Sequence, residues 1–167
     1  MARPARDAGT VPGTVSVDGM TSQALRLPAP AGWMKPYVGI PFLDGGRDRA
    51  GCDCWGLVRL VYAEVLGIDL PTYGEISARD LARVTRTIRD HSAMRPWLPA
   101  TGDARPFDVL VMDGRPQHVG VMVDARHVLH VEAATAAVIV PAARSPHVRW
   151  RRLSLHRHEA LTTEVPA

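Results

Sequence analysis

The chain is short of cysteine. It has two thiols in 167 residues, Cys52 and Cys54, with one residue between them. So close a pair is badly placed to close a stabilising loop, which argues against a disulfide framework. Lysine is nearly missing too, Lys35 being the only one, and every other basic residue apart from histidine is arginine. With abundant alanine, that bias is more the mark of a GC-rich genome than of a binding surface. Nowhere do about eighteen apolar residues run together, so no membrane-spanning helix and no membrane insertion are expected. The N-terminus carries arginines but no apolar stretch of the kind a secretion signal needs, and the expectation is a soluble protein without an export signal. A net charge of +3 and a pI of about 9.3 suit an anionic partner, nucleic acid or bacterial cell wall. No nucleic-acid-binding motif is present, and direct nucleic-acid binding is not expected.

The length fits one domain able to bury a real core. Residues 1–30 are rich in Ala, Gly, Pro, Thr and Ser without periodicity and read as a flexible arm, 31–160 as the folded domain and 161–167 as a tail. An aromatic segment from Trp33 to Phe42 precedes a polar, glycine-rich loop, Leu43 to Gly51. From Cys54 onward Leu57, Val58, Val61, Val65 and Leu66 recur at helical spacing, with Asp53 placed to cap the helix and Gly67 to end it. A second helix is expected from a Ser77 or Asp80 cap to about His91, with Leu81, Val84 and Ile88 inward. Pro96 to Pro106 reads as a loop. Alternating, β-branched runs then mark strands at Phe107–Met112, Gln117–Val123, His127–Ala133 and Ala137–Val140, with a last one near Val148–Leu155. Helices followed by a meander of strands predict an α+β fold, helices packed on an antiparallel sheet.

Cys54 is the candidate nucleophile. A helix N-terminus presents N–H groups and the positive end of the helix dipole, so a thiol there is expected to ionise more easily. The base is sought among seven histidines. If the strands flanking residues 124–126 pair about Ala125, then His118 lies opposite Glu132 and Gly120 opposite His130. That register puts His118 and His130 on one face, diagonal neighbours roughly 7–8 Å apart at the backbone and within reach of each other's rings. His118 would take the thiol proton and His130 would hold its ring in the productive tautomer. A slip of one residue would separate them.

Simpler readings compete. A lone cysteine at a helix start also serves as a small buried hydrophobe. Metal binding by Cys52, Cys54, His118 and His130 is a further alternative, but the spacings do not match the paired ligands of a structural zinc site, and no metal or cofactor is expected. Cys52 reads as structural.

These residues resemble the NlpC-type cell-wall peptidases, whose core is papain-like. The family's Asp-Cys-Ser/Trp-Gly-Leu motif is matched by Asp53-Cys54-Trp55-Gly56-Leu57, and its strand motif by His118-Val119-Gly120-Val121. A third polar position, on the next strand, falls on His130. Phe107-Asp108-Val109-Leu110 looks like the family's Pro-Gly-Asp-Leu, with Pro106-Phe107 in place of Pro-Gly. Trp55 after the cysteine and the Gly-Ile-Asp-Leu-Pro-Thr-Tyr stretch ending at Tyr73 resemble the branch encoded with phage and gene-transfer-agent tails. One departure is Phe42, where the family carries a tyrosine associated with the oxyanion site. Backbone N–H groups at Cys54 and its neighbours could replace it, or Tyr37, or activity is reduced.

The resemblance implies a cysteine peptidase with Cys54, His118 and His130 in catalysis, supported by Asp53, Trp55 and Tyr37. Its substrate would be peptidoglycan stem peptides, cut between γ-D-glutamate and diaminopimelate. A phage-like particle would carry it at the tail tip, beside other tail-tip or baseplate proteins, from the bacterial cytoplasm to the cell wall. An inactive adaptor keeping the fold, and a thiol enzyme acting on another amide, are the alternatives.

Overall fold

A computed structural model describes residues 29–72, 80–112, 117–133, 135–143 and 153–162; the expected arm up to residue 28, the Ser77 cap, the Asp113-Gly114 connection and the last five residues of the tail lie outside them. The first helix, α1 (Cys54–Val61), begins where the sequence predicts. Asp53, in extended conformation, accepts the Gly56 N–H on its carboxylate at 2.7 Å. The helix continues as a π-helical turn, Tyr62–Leu66, and stops at Gly67 in the left-handed region. A second helix, α2 (Leu81–Ser92), is capped by Asp80 through the Arg83 N–H, and Ile88 packs against the core as expected. The side chains of Leu81 and Val84 lie outside the described residues.

Ahead of α1, Arg47–Asp48 (β1) and Gly51–Cys52 (β2) form a small hairpin within what the sequence suggests is loop. The main sheet has six antiparallel strands: β3 (Trp97–Pro99), β4 (Val109–Met112), β5 (His118–Met122), β6 (His127–His130), β7 (Val138–Pro141) and β8 (Leu153–His158). Their spatial order is β3-β8-β4-β5-β6-β7. This is the expected α+β class, with two corrections to the strand reading. Trp97–Pro99 is not loop but an edge strand paired with β8 alone, a position that tolerates its prolines. The last strand, expected near Val148–Leu155, runs instead over Leu153–His158 and enters the sheet between β3 and β4, residues 148–152 lying outside the described ones.

The pairing of β5 with β6, Val121↔Leu129 and Met122↔Val128, is the register that places Gly120 across from His130. Alternation then sorts the side chains. Val119, Val121, Leu129 and Val131 join Leu57, Val58 and Val61 of α1 in the main core, while Met122 and Val128 join Leu110 and Met112 on the other face. Phe107, just before β4, has φ of 71°, the left-handed backbone in which glycine is at home. It is held there because its N–H bonds the Met122 carbonyl, its carbonyl accepts the Tyr62 hydroxyl at 2.6 Å, and its ring lies 4.5 Å from that of Trp33.

Candidate active site

Asp53 does more than cap α1. Its carboxylate also takes the Gly45 N–H at 3.2 Å and the Arg47 guanidinium at 2.6 Å, tying the glycine loop to the helix start. Gly56 makes the approach possible, since a Cβ there would run into the Gly46 carbonyl oxygen. The motif Asp-Cys-Trp-Gly therefore has a packing reason for each end. Trp55 donates its indole N–H to the Pro71 carbonyl at 3.1 Å and meets Trp97 edge-on.

Backbone N–H groups of Trp55 and Val119 face the Cys54 thiol and favour its ionised form. The second reveals how helix and sheet meet. Along β5 the odd residues turn their N–H groups toward β6, as Val123 does to the His127 carbonyl, and Met122, an even one, turns toward the Asp108 carbonyl before β4. The paired ladder ends at Val121↔Leu129. Two residues further along β5 is Val119, whose N–H faces the Cys54 thiol. Cys54 thus comes to the β5 side of the sheet through the packing of α1 on that strand.

His118, the residue before Val119, opens β5 and shares a strand face with Gly120 and Met122. Its Nε2 lies 3.0 Å from His130 Nδ1, with the rings nearly perpendicular. Gly120 clears the space between them: a Cβ there would press on Val128 Cγ2, the Leu129 carbonyl and His130 Cβ. Both histidines are buried. The structure also brings in Glu132, whose Oε1 is 3.9 Å from His118 Nε2 and 3.7 Å from His130 Nδ1. In the sequence Glu132 served only as a register marker, although its place two residues after His130 on an alternating strand carries the signal.

Two expectations are corrected. Burial first, then the Asp53 carboxylate, push the Cys54 thiol up to about 12, against the two N–H donors and Arg47. The side chain keeps partial exposure, but removing a charge from water outweighs the helix terminus, so the resting group is a neutral thiol and not an easily ionised one. Tyr37 does not reach this centre. Its hydroxyl donates to Glu64 at 2.8 Å, ten residues along the helical segment from Cys54 and so on the order of 15 Å away along the axis. Arg49 covers its ring and bonds the same carboxylate. Cys52 is fully buried, its thiol pushed up to about 11 by burial. Phe42 packs against the core.

A helix that opens on a cysteine, packed on an antiparallel sheet whose neighbouring strands carry a histidine pair, has the layout of the papain-like α+β proteins. The chain belongs to the NlpC/P60 family, whose model matches residues 39–157. Members of that family are cysteine peptidases and peptidoglycan hydrolases. Two solved structures share the fold: a family member from Bacillus cereus (TM-score 0.52, 19% identity, 78% of this chain and 41% of that one) and a lipoprotein-like NLP/P60 protein from Staphylococcus aureus (TM-score 0.52, 19% identity, 75% and 38%). A stretch of 34 residues is 47% identical to Protein P54 of Enterococcus faecium, covering 20% of this chain and 7% of that protein. The chain thus spans less than half the length of each.

Proposed function

We propose that the chain is a cysteine peptidase that hydrolyses an amide bond of peptidoglycan stem peptides, with Cys54 as nucleophile, His118 as base and His130 as its positioning partner. The observation that carries this reading is the buried histidine pair, His118 Nε2 lying 3.0 Å from His130 Nδ1, on the sheet against which the helix opened by Cys54 packs. In the tautomer whose His118 Nε2–H donates to His130 Nδ1, 3.0 Å away, the lone pair on His118 Nδ1 is the one that works on the thiol. Because the thiol is not ionised at rest, its proton passes to His118 as sulfur attacks the carbonyl, and the imidazolium and developing charges favour each other. His118 then protonates the leaving amine and afterwards takes a proton from the water that opens the thioester. With Phe42 lacking a hydroxyl and Tyr37 engaged by Glu64, the oxyanion falls to backbone N–H groups at the start of α1, led by that of Cys54.

The finer reading, cleavage between γ-D-glutamate and diaminopimelate by an enzyme carried at the tail tip of a phage-like particle beside baseplate proteins, rests on the sequence resemblance. There it would open the wall for DNA delivery. Incubating purified peptidoglycan with the chain and identifying released peptides by mass spectrometry tests both parts. A new amino terminus on diaminopimelate is the expected product, and equal release by wild type and Cys54→Ala would end the enzymatic reading. The raised thiol and Phe42 favour a second reading, an adaptor that keeps the fold. On that reading, particles bearing Cys54→Ala would assemble and still deliver DNA.

A further inference from the structure

His118 Nε2 from β5, His130 Nδ1 from the end of β6 and Glu132 Oε1 from two residues beyond it converge, 3.0, 3.7 and 3.9 Å apart. Three such separations close a triangle whose centre lies about 2.1 Å from every corner, which is the length of a zinc–nitrogen or zinc–oxygen bond. No protein atom set elsewhere among the described residues gathers three such ligands. We propose that this is a binding site for a divalent ion of the zinc class, and that its occupancy switches the thiol chemistry off; the switch rests on the reading of His118 as the base.

The donor set selects the ion. Two imidazoles and one carboxylate suit zinc, cobalt or nickel, whereas magnesium and calcium ask for oxygen throughout. The imidazoles are buried and the carboxylate is partly exposed, so an ion has a way in from the Glu132 side, where water would complete its coordination.

The consequence for His118 follows from counting protons. A neutral imidazole has one proton and one lone pair. When Nε2 gives its lone pair to the metal, the proton sits on Nδ1, the nitrogen assigned above to the thiol. Nothing is gained or lost, but the lone pair that would accept the thiol proton is gone. The hydrogen bond between the two histidines is replaced by the metal between them. Cys54 is not a ligand in this scheme, unlike the cysteine-containing metal set weighed from the sequence, so the metal would be held without sulfur.

Cobalt(II) titrated into the full chain carrying Cys54→Ala tests the site without any activity. One ion per chain is expected, with visible d–d absorption, displacement by zinc, and no sulfur-to-cobalt charge-transfer band even in the wild type. Glu132→Gln should weaken binding at least roughly tenfold, while His127→Ala, at the exposed end of β6, should bind as the parent does. Nitrogen-15 spectra of histidine in Cys54→Ala give a reading that needs no ligand variant: zinc should move His118 from the Nε2–H to the Nδ1–H form. Loss of binding in Cys54→Ala, undiminished binding in a folded Glu132→Gln, or an unchanged His118 tautomer would each overturn the site. In the wild type, zinc should abolish peptide release and a chelator restore it; a metal-loaded enzyme that still cleaves overturns the switch. If no cleavage occurs with or without zinc, the peptidase reading fails while the site is still decided by Cys54→Ala.

Discussion

Asp108 and Arg157 meet through two hydrogen bonds of 2.8 and 2.7 Å, from the residue before β4 to the penultimate residue of β8. His118, His130 and Glu132, from β5 and the end of β6, approach one another less tightly, at 3.0 to 3.9 Å. Both groups are buried polar clusters of one sheet. In the first, the carboxylate also accepts the Arg105 N–H, so charge meets charge, geometry is bidentate, and the pair fixes how β8 lies against β4. In the second, three ligand-type atoms point at a common centre and the proton between two nitrogens can sit on either. One arrangement spends its polar capacity on position, the other keeps it for chemistry.

The contrast is broken most directly at His118. His118→Ala should lower stem-peptide release by roughly 10²–10⁴-fold, the usual span of a lost general base, while moving the thermal midpoint by only a few degrees. A collapse of the fold instead would mean that the histidines are structural after all. Asp108→Ala is the mirror experiment. It leaves Arg157 charged and buried, and should cost about 3–5 kcal/mol in a urea titration; a loss of activity without that loss of stability would erase the distinction.

Phe107 sharpens the structural side further. Removing its buried ring by Phe107→Ala should cost about 3–5 kcal/mol. Phe107→Gly loses the same ring but accepts the left-handed backbone, and should be the more stable of the two by about 1 kcal/mol, the reverse of the ordinary order. Equal stabilities of the two variants in the same titration would mean that the left-handed conformation is not what the backbone demands there.

The smallest expected effect is on pH. Burial holds His156 and His158, on β8, below the ordinary histidine value of 6.5. The unfolded chain therefore binds protons first as pH falls, so their contribution to stability is present above about 6.5 and is lost on acidification. Thermal midpoints should decline modestly between pH 7 and 5, and replacing both by glutamine should flatten the decline.

Much of this could be read in the chain itself, because the signals were local. Asp53 three residues before Gly56, the spacing from Cys54 to Leu66, and alternation on either side of Ala125 each involve neighbours in sequence, and helix start, helix face and strand register followed from them. The edge strand at Trp97 escaped because prolines mark loops and edge strands alike, and pairing with β8 about sixty residues later decides which. The part played by Glu132 escaped for a related reason: a register says which residues share a face, not how far apart their atoms stop.

The thiol shows the division most plainly. That a cysteine would open a capped helix, and that His118 and His130 would share a strand face, the sequence determined alone. Only the tertiary structure decided that Glu132 joins the two histidines, and that burial beside Asp53 pushes the thiol up. Caps and periodicity are settled within a few residues of chain, whereas desolvation and the distances between side chains depend on what distant segments bring to the same place.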